Sequence, residues 1–151
     1  MVYSRRDLLF LVSSLTLSGA DTSSGADTSS GAEASSGSLA SKTYPFEELA
    51  VRQNGANSMR PVLEGQSHTG VAVKLHITEL APGGEPHPPH HHAHEEMLLI
   101  REGTLEVTIA GRVSTLGAGS VAFVATNEEH GWRNVGKTRA QYFVLALGRD
   151  A

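Results

Sequence analysis

The 151-residue sequence contains no cysteine. That excludes disulfide staples, thiolate metal sites and thiol nucleophiles, and leaves the redox compartment open. Aromatic residues make up 5% of the chain, too few for a base-stacking surface. Positive charge is also scarce: 12 Lys and Arg face 16 Asp and Glu, a net charge of −4 with His neutral. No basic stripe marks a nucleic-acid surface, so no nucleic-acid partner is expected. The apolar run Leu8 to Leu17 falls short of the roughly 20 residues that cross a bilayer. Histidine, by contrast, is plentiful. There are eight, and five of them fall between residues 87 and 94.

The N-terminus reads as an export address. Ser4-Arg5-Arg6-Asp7 precedes the apolar run, and small residues follow at Ser18 and Ala20. This is the pattern of a bacterial signal peptide over residues 1–20, with cleavage expected after Ala20. The arginine pair resembles a twin-arginine signal, and an ordinary secretory signal fits the same residues. A periplasmic or extracellular location follows, with no integral span after cleavage; without a working signal the chain stays cytoplasmic. Residues 21–43 are low in complexity. The unit Gly-Ala-Asp-Thr-Ser-Ser begins at Gly19, recurs at Gly25 and decays from Gly31. Such a segment buries little apolar surface to offset its ordering entropy, so a flexible linker is expected.

From Tyr44 to Ala151 the pattern is all-β. Val71, Val73, Leu75 and Ile77 alternate with Ala72, Lys74, His76 and Thr78. Period two predicts a strand with one face buried and the other not. Leu105, Val107 and Ile109 repeat the pattern, and Ala110-Gly111-Arg112 predicts a hairpin turn. Val121–Val124 and Tyr142–Leu147 are further strand candidates. Pro45–Leu49 suggests one helical turn. Many short strands punctuated by glycine predict a sandwich or barrel.

The histidine-rich segment runs Gly84-Glu85-Pro86-His87-Pro88-Pro89-His90-His91-His92-Ala93-His94-Glu95-Glu96. A histidine tract can bind metal loosely without a fold. Parity favours a built site. On an extended strand His90, His92 and Glu96 share one face, and Pro88 and Pro89 hold the approach extended. Leu98 and Ile100 continue that face as apolar wall. Polar groups facing an apolar interior are unfavourable unless a ligand satisfies them, and a metal ion does so. His91 shares parity with Glu95 and should face away. His87 and His94 are expected at the surface, near the mouth. A register using His92 and His94 breaks the spacing to Glu96. His76 is expected to have no functional part. Trp132 either lines the pocket or fills the core. Arg60 and Arg133 could meet an anionic substrate, though surface placement is expected for both.

The spacing resembles the first motif of the cupin superfamily at every fixed position: Gly84, His90, His92, Glu96, Gly103. Gly119, His130 and Asn134 match its second motif, with Ala125 and Asn127 where the motif has Pro and Gly. Asn127 is the milder change, because Asn tolerates left-handed backbone. The resemblance implies a double-stranded β-helix, or jelly-roll, barrel. It implies one divalent metal ion per barrel (Fe, Mn, Zn, Ni or Co) held by His90, His92, Glu96 and His130. Small single-barrel members of the family resemble quercetin dioxygenase. The resemblance therefore implies an oxygenase-type enzyme for a small enol, diol or organic acid, with Glu96 as both ligand and proton acceptor. Trp132, Leu98 and Ile100 would wall the substrate pocket, and a homodimer fits the family. A binding or storage module is the alternative, favoured by a pocket without any acid or base beyond the ligands. A sensor is a third reading, but no DNA-binding segment accompanies the barrel.

Overall fold

The computed structural model describes residues 38–151. The expected signal, and the linker up to residue 37, lie outside the described residues. At Leu39 the chain is already against the sheet. The Leu39 N–H donates to the Gln66 carbonyl at 2.7 Å, and its side chain packs on Gly65. A single 3-10 turn, Phe46–Glu48, sits where Pro45–Leu49 suggests one.

Nine strands follow among the described residues. They are β1 (Arg52–Asn54), β2 (Asn57–Gln66), β3 (Ala72–Leu80), β4 (Glu95–Glu102), β5 (Thr104–Ile109), β6 (Arg112–Gly117), β7 (Val121–Val124), β8 (His130–Asn134) and β9 (Ala140–Leu147). One sheet has the order β1-β2-β3-β9-β4-β7 and the other β6-β5-β8, with every pairing antiparallel. The body is thus an all-β jelly roll, as the strand pattern predicts. Ala110 and Gly111 join β5 to β6 with φ of 48° and 73°. Two consecutive positive φ values are what a two-residue hairpin matched to strand twist requires.

Strands β1 and β2 are absent from the sequence expectations. Pro61 interrupts their pattern, and the pairing register shifts between Pro61 and Leu63. Proline is tolerated there because β1 pairs only with Asn57 to Met59, leaving that edge of β2 free beyond.

The core lies between the sheets. Leu80, Leu98, Ile100, Ala140, Tyr142 and Val144 from the larger sheet meet Leu105, Val107 and Trp132 from the smaller. Burying each large apolar side chain stabilises the fold by roughly 1.5–3 kcal/mol. Strand β3 departs from the expectation of one buried face. His76, Thr78 and Leu80 pair with Val144, Tyr142 and Ala140 and share their inward face. The more apolar row, Leu75 and Ile77, lies on the outer face, where Ile77 is nonetheless buried. Alternation reports that two faces differ. Which of them points inward is decided by the partner strand.

Candidate metal centre

Strand β4 alternates cleanly, so Glu96, Leu98 and Ile100 point into the barrel. In strand β8 His130, Trp132 and Asn134 are buried, and Gly131 between the first two is buried as well, against Pro89. Glu96 therefore comes from one sheet and His130 from the other. His90 and His92 arrive differently from the parity argument. Residues 91–94 are not strand, and His90 forms only an isolated bridge to His130. The two residues exchange both backbone bonds, His90 N–H to His130 O at 3.0 Å and His130 N–H to His90 O at 2.8 Å. Two residues on, the Asn127 N–H donates to His92 O at 2.9 Å. Next to it, the Thr126 hydroxyl donates to Ala93 O at 3.1 Å. Pinning by the 125–130 loop, rather than a continuous pleat, brings the pair inward.

The four residues converge. The ligand atoms of His90, His92 and His130 lie within 4.8 Å of one another. His92 Nε2 is 3.4 Å from Glu96 Oε1, and His130 Nε2 is 3.4 Å from Glu96 Oε2. Two of the rings are oriented by backbone carbonyls, which can only accept. His92 Nδ1 donates to His94 O at 2.9 Å, and His130 Nδ1 donates to Glu128 O at 2.8 Å. With Nδ1 donating, each ring in its neutral form presents a bare Nε2 lone pair to the site, the arrangement that prepares a histidine for metal. Burial lowers the His130 pKa, but the Glu96 carboxylate and the Glu128 carbonyl outweigh burial and raise it.

Those inward atoms have no partner. His90 Nδ1, His92 Nε2, His94 Nδ1, Glu96 Oε2 and His130 Nε2 are buried without a hydrogen bond. Burying polar atoms unpaired is unfavourable by about 1–3 kcal/mol each, and those of His90, His92, Glu96 and His130, gathered at one place, call for a common ligand. Imidazole nitrogens and a carboxylate fit a first-row divalent cation. Burial pushes the Glu96 carboxyl up, but His130, His92 and His94 around it outweigh burial and hold it below the usual range. Burial lowers His90, aided by His87, His130 and His92, which keeps it a neutral donor.

A cavity of about 330 Å³ opens beside Glu96, walled by Leu80, Trp132 and Val144. Trp132 is both core and wall, and its ring stacks on His130 at 5.6 Å between centroids. Leu98 and Ile100 lie in the core cluster rather than on this wall. His91 and Glu95 are exposed, as parity predicts. His87 is exposed at the mouth, its ring edge-on to His90 at 4.2 Å. Arg133 is exposed and paired with Glu106. Arg60 is no surface residue: it is covered by the Phe46 ring and bonded to Glu79 on the outer face, away from the cavity. Two histidines correct the sequence expectation. His94 is drawn inward against His92 and Glu96. His76 lines the cavity, because β3 turns that face inward, and burial lowers its pKa. The only sequence signal for His76 is its place in an alternating strand.

A family model described as a cupin domain matches residues 76–146, which contain both motifs. This chain belongs to the cupin superfamily. No curated protein matches its sequence. Solved structures match its fold. An RmlC-like cupin from Shewanella frigidimarina has 21% identity and a TM-score of 0.60, the match covering 73% of this cupin and 95% of that chain. The polyketide cyclase RemF from Streptomyces resistomycificus has 22% identity and a TM-score of 0.59, covering 72% and 80%. A predicted oxalate decarboxylase from Thermotoga maritima has 18% identity and a TM-score of 0.59, covering 70% and 98%. At these identities the likeness is one of fold.

Proposed function

We propose that this cupin binds one divalent metal ion through His90, His92, Glu96 and His130 and acts on a small organic molecule in the adjoining cavity. One observation carries the reading: the unpartnered donor atoms sit beside a cavity that holds a further histidine, His76. When bound, a metal ion of this kind supplies Lewis-acid or oxygen-activating chemistry. The protein's own residues supply the rest. Leu80, Val144 and Trp132 exclude water from the wall. Glu96 is ionised and can accept a proton where it meets the cavity. His76, whose depressed pKa keeps it neutral near pH 7, can accept a second. A pocket for storage alone has no use for that second base, so turnover is favoured over holding. A cyclase and a predicted oxalate decarboxylase among proteins of this fold agree with an enol, diol or organic acid as substrate. An oxygenase-type reaction is the form of the proposal.

The decisive test is metal analysis of untagged protein purified without added metal. One divalent ion per chain is expected, and none in His130→Ala. A variant that kept a tightly bound ion would overturn the ligand set. Oxygen uptake with catechol, flavonol and β-diketone probes then tests the oxygenase form, which fails if the loaded protein consumes none. Export through Arg5 and Arg6 belongs to the same proposal, and is refuted if changing both to Lys leaves secretion intact. Leu99, Val121 and Phe123, exposed together on β4 and β7, support a homodimer, to be checked by light scattering.

A further inference from the structure

The motif ligands do not include His94, yet the fold brings it in. Its ring lies flat on that of His92, with centroids 3.5 Å apart and planes 11° apart. Its Nε2 is 3.5 Å from Glu96 Oε1, beside the 3.4 Å contact of His92 Nε2 with the same oxygen. Its Nδ1 is buried and unpartnered. His92, His94 and Glu96 thus form a second donor triad, overlapping the triad of His90, His92 and His130 at His92. The backbone of residue 94 is engaged as well, since its carbonyl accepts from His92 Nδ1.

Packing alone does not account for this. A histidine buried only for its ring surface leaves its nitrogens to water or to a hydrogen-bond partner, because stranding one is unfavourable. His91, three residues from the same loop's end, shows the other outcome: it is exposed.

We propose that His94 is a fifth donor of the metal centre. This rests on the reading that His90, His92, Glu96 and His130 hold the ion. Sharing that ion requires the stacked rings to splay, since flat-stacked lone pairs run side by side. His94 lies on the bend just ahead of β4, outside any strand, where such a tilt is least restrained. The consequence concerns substrate class. On a six-coordinate ion, four protein donors would leave two places, enough for a chelating molecule, and five would leave one. A bidentate molecule would then compete with His94, whereas a monodentate anion would not. His94 would set how strongly chelating diols and diacids are preferred.

The test uses the full chain loaded with Co(II), whose visible spectrum reports coordination. His94→Ala and His94→Gln are compared with the exposed control His91→Ala and with His130→Ala. Apo-protein circular dichroism confirms that each is folded. Expected for both His94 variants is Co(II) affinity weaker by about tenfold or more and an altered spectrum. They should also bind oxalate more tightly than the parent, with azide unchanged. Gln keeps a side chain that can donate to Glu96, so full rescue by Gln would show a contact role and overturn the proposal. Affinity and spectrum matching His91→Ala would overturn it too. If His130→Ala also binds Co(II) normally, the ligand-set reading fails instead.

Discussion

Trp132 donates its indole Nε1–H to the hydroxyl of Tyr142 at 2.8 Å. The bond joins β8 in the smaller sheet to β9 in the larger, and the rings meet edge to face at 6.0 Å. On its other side Trp132 stacks on His130. A hydrogen bond in the core is therefore one ring away from His130 and the candidate metal site.

Tyr142→Phe keeps the shape and removes the acceptor. It strands a buried N–H, so a loss of about 1–3 kcal/mol in unfolding free energy is expected. The protein has a single tryptophan, so urea unfolding followed by its fluorescence reads this directly. An unchanged midpoint would show that the indole finds another acceptor.

The same hydroxyl predicts behaviour in alkali. Burial pushes the Tyr142 pKa above the ordinary tyrosine value, against the smaller opposing effect of its bonds to Trp132 and Thr78. In the unfolded chain the group ionises near pH ~10. The folded state holds the proton more firmly, so this contribution is complete below that pH and declines as pH rises above it. The stability gap between parent and Tyr142→Phe should narrow above about pH 10, measured as urea midpoints through the alkaline range. A constant gap would contradict the assignment.

Gly103 links β4 to β5 with φ of 85°, and a Cβ there would lie 2.5 Å from Ala140 Cα. Left-handed backbone and backbone contact coincide, so no rotamer relieves the strain. Gly103→Ala should be destabilising by more than about 1 kcal/mol. Thermal unfolding checks it; an unchanged midpoint would mean that the β4–β5 corner can shift at little expense.

Asn127 adopts φ of 60° while its N–H holds the His92 carbonyl. Asn127→Gly should be close to neutral, since glycine takes that conformation freely. Asn127→Val, β-branched in the left-handed region, should lose about 1–2 kcal/mol and loosen His92, lowering metal affinity. Calorimetric metal titration of both variants separates the two effects. Equal affinity in both would show that His92 is fixed from elsewhere.

Much of this was legible in the residues themselves, for differing reasons. His90, His92 and Glu96 share parity in the sequence, and His130 joins the proposed set through the resemblance to the second cupin motif; β4 and β8 turn Glu96 and His130 inward. The placement of His90 and His92 has another cause. Their loop is held by backbone bonds from Asn127 and His130, residues more than thirty positions away, and no local pattern records such pairing. His76 was obscured similarly. It sits on the less apolar row of β3, which faces inward only because β9 pairs there with Tyr142 and Val144. Its outer row is also covered in part, by the turn carrying Phe46 over Arg60. His94 shares the parity of His90, His92 and Glu96 but falls outside the cupin spacing, so it is expected at the surface near the mouth. The bend ahead of β4 instead lays its ring on His92.

Strand β1 supplies a last consequence. Arg52, Gln53 and Asn54 are exposed, pair only with β2, and yet line the cavity beside Glu96. The core cluster includes none of them. The outer wall of the binding space is thus built from an edge that the rest of the fold hardly depends on. Substitutions there should alter which molecules enter with little penalty in stability. Selectivity and foldedness are carried by separate residues, leaving the first free to diverge while the second is conserved by physics.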